Sequence, residues 1–136
     1  MSDDLTPSNE ADPDEVGTAA PYSGTFCFQN TLNGTISSGW AKHWTTDYGT
    51  ETIDLTGLAN NELSASVPFT TSSSNTDHWA FEATVGGITY SVADKHCGFE
   101  SEDAGGEVIL AAFYQFLQFY VGMPVSSGCE CSIDEG

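Results

Sequence analysis

The sequence predicts an all-β chain, an antiparallel β-sandwich of about seven to eight strands with an extended acidic N-terminal segment. Three observations carry that expectation. From Tyr22 onward the apolar residues fall in short alternating runs, the period of a half-buried strand. Turn residues such as Asn33-Gly34, Asn60-Asn61 and Gly86-Gly87 punctuate those runs. The length, 136 residues, suits one hydrophobic core, so residues 22–136 are read as the sandwich domain and residues 1–21 as the extension.

Residues 1–20 hold six of the twenty acidic residues and almost no large apolar side chain. Such a segment buries too little surface to order itself. The first strand is expected over Thr25 to Asn30 (TFCFQN), with Asn33-Gly34 as a hairpin turn. The second is expected over Thr35 to Thr46, interrupted near Ser37-Ser38-Gly39, and a third over Thr52 to Leu58. Leu63, Ala65, Val67 and Phe69 alternate with polar residues. Pro68 has no N–H to give a ladder, so this strand belongs at an edge or a bulge.

The clearest unit runs from His78 to Val92. Trp79, Phe81, Ala83 and Val85 alternate, Gly86-Gly87 supplies the positive dihedrals of a two-residue turn, and Ile88, Tyr90 and Val92 alternate back. In that register Val85 faces Ile88, Phe81 faces Val92 and Trp79 faces Asp94. Extended further, it sets His78 opposite Lys95 and Asp77 opposite His96. After Asp94 the apolar parity slips to Cys97 and Phe99, which predicts a bulge near there. Glu100 to Gly106 reads as a turn, and Glu107 to about Phe116 as one strand buried on both faces. A short final strand is expected within Gly128 to Ile133.

Two lysines and no arginine stand against twenty carboxylates, a formal net charge of −18. Nothing here can neutralise a row of phosphates, so neither nucleic acid nor an anionic lipid surface is an expected partner. A partner should be neutral, zwitterionic or cationic. Acidity of this kind also serves solvation, as in salt-adapted proteins. The longest apolar run, Val108 to Val121, has fourteen residues with two glutamines among them, short of a membrane span. The N-terminus shows no signal-like apolar stretch, so a cytoplasmic or non-classically exported protein is expected.

Cys27, Cys97, Cys129 and Cys131 allow two disulfides in three connectivities. A disulfide from Cys97 to Cys129 or Cys131, or plain buried thiols, is favoured over a zinc site built from these cysteines and His96, whose spacing fits no familiar zinc fold. Glu100, Glu102, Asp103 and Glu107 lack the ligand order of a calcium loop and read as a solvated turn. Asp77 and His96 beside Cys97 have the residue types of an activated nucleophile, yet sequence neighbours in a strand point to opposite faces. No nucleophile-elbow, zincin or phosphate-loop motif is present. The expectation is a non-enzyme with no cofactor and no metal ligands.

The segment Ser38 to Gly49, SGWAKHWTTDYG, holds two of the three tryptophans and one of the two lysines. In a strand, Trp40, Lys42, Trp44, Thr46 and Tyr48 share one face, with His43 and Asp47 opposite. A lysine between two tryptophans argues for a half-wet face. Flat aromatic faces stack on sugar rings, cover choline-type cations or sit at a water–lipid boundary. Trp40, Lys42, Trp44, Asp47 and Tyr48 are therefore the candidate ligand-binding residues.

The pattern Asn30…Ile36…Gly39-Trp40-Ala41-Lys42-His43-Trp44, in a small, strongly acidic, aromatic-rich β chain, resembles the aegerolysins. The resemblance implies a β-sandwich that recognises particular sphingolipids or sterol-containing membranes through aromatic and acidic residues on one edge, with a separate pore-forming protein partner in some members. It carries a headgroup-binding role to Trp40, Trp44, Tyr48 and Asp47. The run Val108 to Tyr120, the Cys129-Glu-Cys131 pair and the acidic extension lie outside the family pattern. The expected function is thus binding of a neutral or zwitterionic lipid headgroup or a glycan. The alternative is a self-assembling filament or coat subunit, a homo-oligomer joined through the extension and the apolar C-terminal run.

Overall fold

Alternation of large inward and small or polar outward residues builds two layers. The computed structural model describes residues 20–136, so the acidic extension lies almost wholly outside the described residues. Ten strands are formed: β1 (Tyr22–Thr31), β2 (Ser38–Thr45), β3 (Gly49–Asp54), β4 (Val67–Thr71), β5 (His78–Val85), β6 (Ile88–His96), β7 (Glu107–Phe113), β8 (Gln118–Gly122), β9 (Cys129–Ser132) and β10 (Asp134–Glu135). One sheet has the order β4-β1-β7-β8-β9 and the other β10-β6-β5-β2-β3.

The two sheets pack through aromatic side chains. Phe26 and Phe28 of β1 and Phe119 of β8 are fully buried against Trp79 and Phe81 of β5. Ring centroids lie 5.7 Å apart for Phe26–Trp79, 5.3 Å for Phe28–Phe81 and 5.1 Å for Phe81–Phe119, all across the interlayer space. Burying each such side chain contributes about 1.5–3 kcal/mol, so this aromatic row is a large share of the cohesion of a core that also holds Phe69, Phe99, Val108 and Leu110. Among the described residues no helix is long and apolar enough to cross a membrane.

The β-sandwich is as expected, with more strands, and several expectations about pairing fail. β1 and β7 are parallel, Thr25 facing Glu107 and Thr31 facing Phe113. The parallel pair arises because the chain leaves the first sheet after β1, and β7 re-enters beside it only after β5 and β6 have been laid in the second. For the same reason Asn33-Gly34 is not a hairpin turn. β1 and β2 lie in different sheets, and Asn33, at φ 68°, redirects the chain between them.

Pro68 lies in β4, an edge strand, as its missing donor requires. Glu107 to Phe116 is not one strand. β7 ends at Phe113, a turn with Leu117 at φ 48° follows, and β8 returns antiparallel with Ala112 facing Phe119.

In β5–β6 the pairs Val85–Ile88 and Phe81–Val92 stand as expected, and Gly86 and Gly87 take the positive φ their turn needs. The register then shifts. Trp79 faces Lys95 and His78 faces His96, so the expected pairs Trp79–Asp94, His78–Lys95 and Asp77–His96 do not form. Ala93 and Asp94 together stand against Ala80, so the bulge expected near Asp94 includes Asp94 itself. An extra residue reverses strand parity, and here it sends Asp94 and His96 to the outer face.

Cys97, just after β6, is bonded to Cys129 of β9, a staple from one sheet to the other. Cys27 is a buried free thiol and Cys131 a partly exposed one. The zinc arrangement of cysteines with His96 is excluded, since two of its three sulfurs are spent on each other.

Candidate functional site

β2 sets its side chains alternately. Ala41, His43 and Thr45 point inward and are buried, whereas Trp40, Lys42 and Trp44 share the outer face and are half-buried. On that face Trp40 lies between Asp54 of β3 and Glu82 of β5, Lys42 between Thr52 and Ala80, and Trp44 between Thr50 and His78. The small side chains of Ala80 and Ala93 leave a shallow depression of about 280 Å³ walled by Trp40, Lys42, Trp44 and Thr50. The Lys42 ammonium stands 4.4 Å over the Trp40 ring, a cation–π contact. Trp44 stacks on His78 at 5.1 Å and 11°.

Asp47 and Tyr48 are placed differently from the sequence expectation. β2 stops at Thr45, which pairs with Gly49, and residues 46–48 form the tight turn into β3. Asp47 accepts a hydrogen bond from Asn75 Nδ2 at 3.1 Å and gives its own N–H to Asn75 Oδ1 at 3.2 Å. The Tyr48 N–H is held by Thr45 Oγ1. Neither residue lines the depression. The carboxylates that flank Trp40 are instead Asp54 and Glu82, both exposed. Hydrogen bonds from Thr56 hold the Asp54 carboxyl below its usual range, so it stays ionised.

Beneath this face lies a buried polar group that sequence reasoning did not assemble. His43 is fully buried, with Nδ1 2.7 Å from Glu51 Oε1 and Nε2 2.8 Å from Asp77 Oδ1. Each ring nitrogen faces a carboxylate oxygen, and the imidazolium is the form that donates to both. Asp77 Oδ2 accepts the Phe99 N–H at 2.9 Å. The His43 ring packs on Phe69 and Trp79 with centroids 4.4 and 4.5 Å away. Asp77 is thus spent on His43 and not on His96, which removes the activated-nucleophile arrangement. The imidazole is enclosed by aromatic rings, while Glu51 keeps a partly exposed edge.

The other sheet offers a contrasting surface. Ile109, Tyr114, Phe116 and Tyr120 are exposed large hydrophobics. Phe113, Phe116, Gln118, Tyr120 and Glu130 line an open depression there of about 450 Å³.

No protein-family model matches the chain, and comparison with curated proteins finds no similar sequence.

Proposed function

We propose that the chain is a non-catalytic binding module whose Trp40–Lys42–Trp44 face takes a neutral or zwitterionic ligand, a lipid headgroup or a glycan ring. The observation that carries this reading is the pair of half-exposed indoles flanking a floor of alanines, with the sole lysine of β2 between them. An apolar floor with a few placed polar groups suits a small flat or zwitterionic group. Lys42 offers a donor to a phosphodiester or hydroxyl oxygen, and Asp54 and Glu82 offer negative charge to a quaternary ammonium or acceptors to sugar hydroxyls. The likeness to aegerolysins belongs to the same proposal, with a separate protein partner as its extension. The cross-sheet disulfide supports an exported protein, because such bonds persist in oxidising surroundings.

The test is co-sedimentation with sphingomyelin or phosphatidylcholine vesicles, beside titration with soluble neutral oligosaccharides. Binding to either that falls at least about tenfold in Trp44→Ala, the loss of one aromatic contact of order 1.4 kcal/mol or more, supports the reading and names the ligand class. Absence of binding to both, in a folded protein, ends it.

A second reading is favoured by one observation, the exposed Ile109, Phe116 and Tyr120 on the opposite sheet. In this reading the face joins copies of the chain into a homo-oligomer or filament, with residues 1–21 as a second contact. Light scattering would show a large uniform particle that dissociates in Phe116→Asp and when residues 1–20 are deleted.

A further inference from the structure

The chain has three histidines. His43 is sealed in the core, and the other two converge on one carboxylate at the end of the outer face. His78 of β5 and His96 of β6 are direct cross-strand partners, and Asp94 lies two residues before His96 on the same face. His78 Nδ1 is 2.9 Å from Asp94 Oδ1, and His96 Nε2 is 3.4 Å from Asp94 Oδ2. One ligand atom from each of the three residues falls within 4.8 Å of the others.

We propose that His78, Asp94 and His96 form a site for a borderline divalent transition metal, zinc, nickel or copper(II). Two imidazoles and one carboxylate are ligands these ions favour, whereas calcium and magnesium prefer all-oxygen sets. With metal–ligand bonds of about 2.0–2.2 Å, two donors on one ion lie roughly 3–4 Å apart, close to the spacing already present. His96 and Asp94 side chains are 63% and 42% exposed, so small rotations close the set without moving backbone. His78 is held more firmly, its ring stacked on Trp44 on one side and edge-on to His96 on the other. Three protein ligands leave at least one position for water or another donor. The ion takes the place of the hydrogen bond between His78 Nδ1 and Asp94, with the ring nitrogen offering its lone pair to the metal.

The bulge in β6 creates the arrangement. In an unbroken register Asp94 and His96 point inward with Val92, and His78 faces Lys95. The added residue carries both ligands outward to His78. The net charge of −18 raises the local concentration of any cation near this face. This inference reverses the expectation of no metal ligands, and although Trp44 borders both sites the metal ligands are not those of the aromatic floor, so either reading can fail alone.

The experiment is calorimetric titration of the full chain with zinc, nickel and copper(II) chlorides in about 0.5 M NaCl, which screens the diffuse pull of surface carboxylates, with calcium and magnesium as controls. One ion per chain is expected to bind, at least about tenfold more weakly in His96→Ala. His96 is exposed, so that variant should keep its thermal midpoint, and His78→Ala provides the second test. Copper(II) should also quench tryptophan fluorescence, with the site-specific part lost in Trp44→Phe. Equal transition-metal binding by the wild type and His96→Ala, or many weak sites matched by calcium, would overturn the proposal.

Discussion

Asp103 shows how a single acid can hold loops together. It is buried, and its carboxylate accepts the N–H groups of Glu100, Val125 and Ser126 and the Ser126 hydroxyl. Burial alone raises its pKa, but these hydrogen bonds from Ser126, Glu100 and Val125 outweigh burial and hold the carboxyl below its usual range. A depressed pKa means the folded state prefers the ionised form. Its stabilisation is therefore complete above the unfolded value of about 3.9 and is lost as pH falls through the folded value. Asp103→Ala should cost about 3 kcal/mol near neutrality, since three N–H groups lose a charged acceptor. Urea midpoints at about pH 6 and about pH 3 should differ less in Asp103→Asn than in the wild type. An unchanged difference would remove Asp103 from the acid response. In the sequence this residue reads as part of a solvated acidic turn, because its donors at residues 125 and 126 are distant along the chain. The same limit hid His43. Its inward parity was legible from β2, but Glu51 and Asp77 reach it only through the folded sheet.

At the scale of elements, legibility followed the strength of local turn chemistry. Gly86-Gly87 between two alternating runs identified the β5–β6 hairpin and its first pairs correctly. The β7–β8 hairpin was missed because the intervening Tyr114 to Leu117 contains no glycine, proline or asparagine, and Leu117 takes a left-handed conformation that its residue type does not advertise. Of the candidate site, Trp40, Lys42 and Trp44 were found together from period-two spacing. Asp47 and Tyr48 were misplaced because β2 ends at Thr45 and residues 46–48 turn into β3, a boundary that Asp47 and Gly49 do mark but that the even spacing of Trp40, Trp44 and Tyr48 overrode. The bulge was inferred close to where it lies, but the unbroken register was still drawn through it, and that concealed the meeting of His78 with Asp94 and His96.

β9 is a short edge strand of four residues, and the Cys97–Cys129 bond ties it to the far sheet across 32 residues of sequence. Loop-closure entropy for that separation is worth roughly 3–4 kcal/mol at 25 °C. Cys129→Ser should lower stability by up to that amount, whereas Cys131→Ser should leave it nearly unchanged. Burial, with Glu107 adding to it, pushes the Cys27 thiol up to about 11, so this thiol stays protonated near neutrality and should resist alkylation in the folded protein. Denaturant midpoints and mass spectrometry after a brief iodoacetamide pulse check both statements. An equal loss from the two serine variants would show that Cys131 shares the pairing.

The whole molecule carries −18 charges on 136 residues, with only Lys42 and Lys95 to offset them. Closely spaced carboxylates repel one another most in the folded state, where they are nearest, so the net charge destabilises the compact form even as it keeps the protein soluble. Salt acts on that term selectively. The screening length falls from about 10 Å at 0.1 M to about 3 Å at 1 M, which removes repulsion between neighbouring surface acids. The buried contact of His43 with Asp77 is shielded from solvent ions and should be affected much less. Thermal stability should therefore rise as NaCl increases from about 0.1 to about 1 M, and most steeply at the low end of that range. Scanning calorimetry on Asp103→Asn should show the same slope as the wild type, because that carboxylate interacts with donors rather than with the surface field. A flat response to salt would mean that the acids are spaced far enough apart for water alone to separate them, and that their density serves hydration rather than opposing the fold.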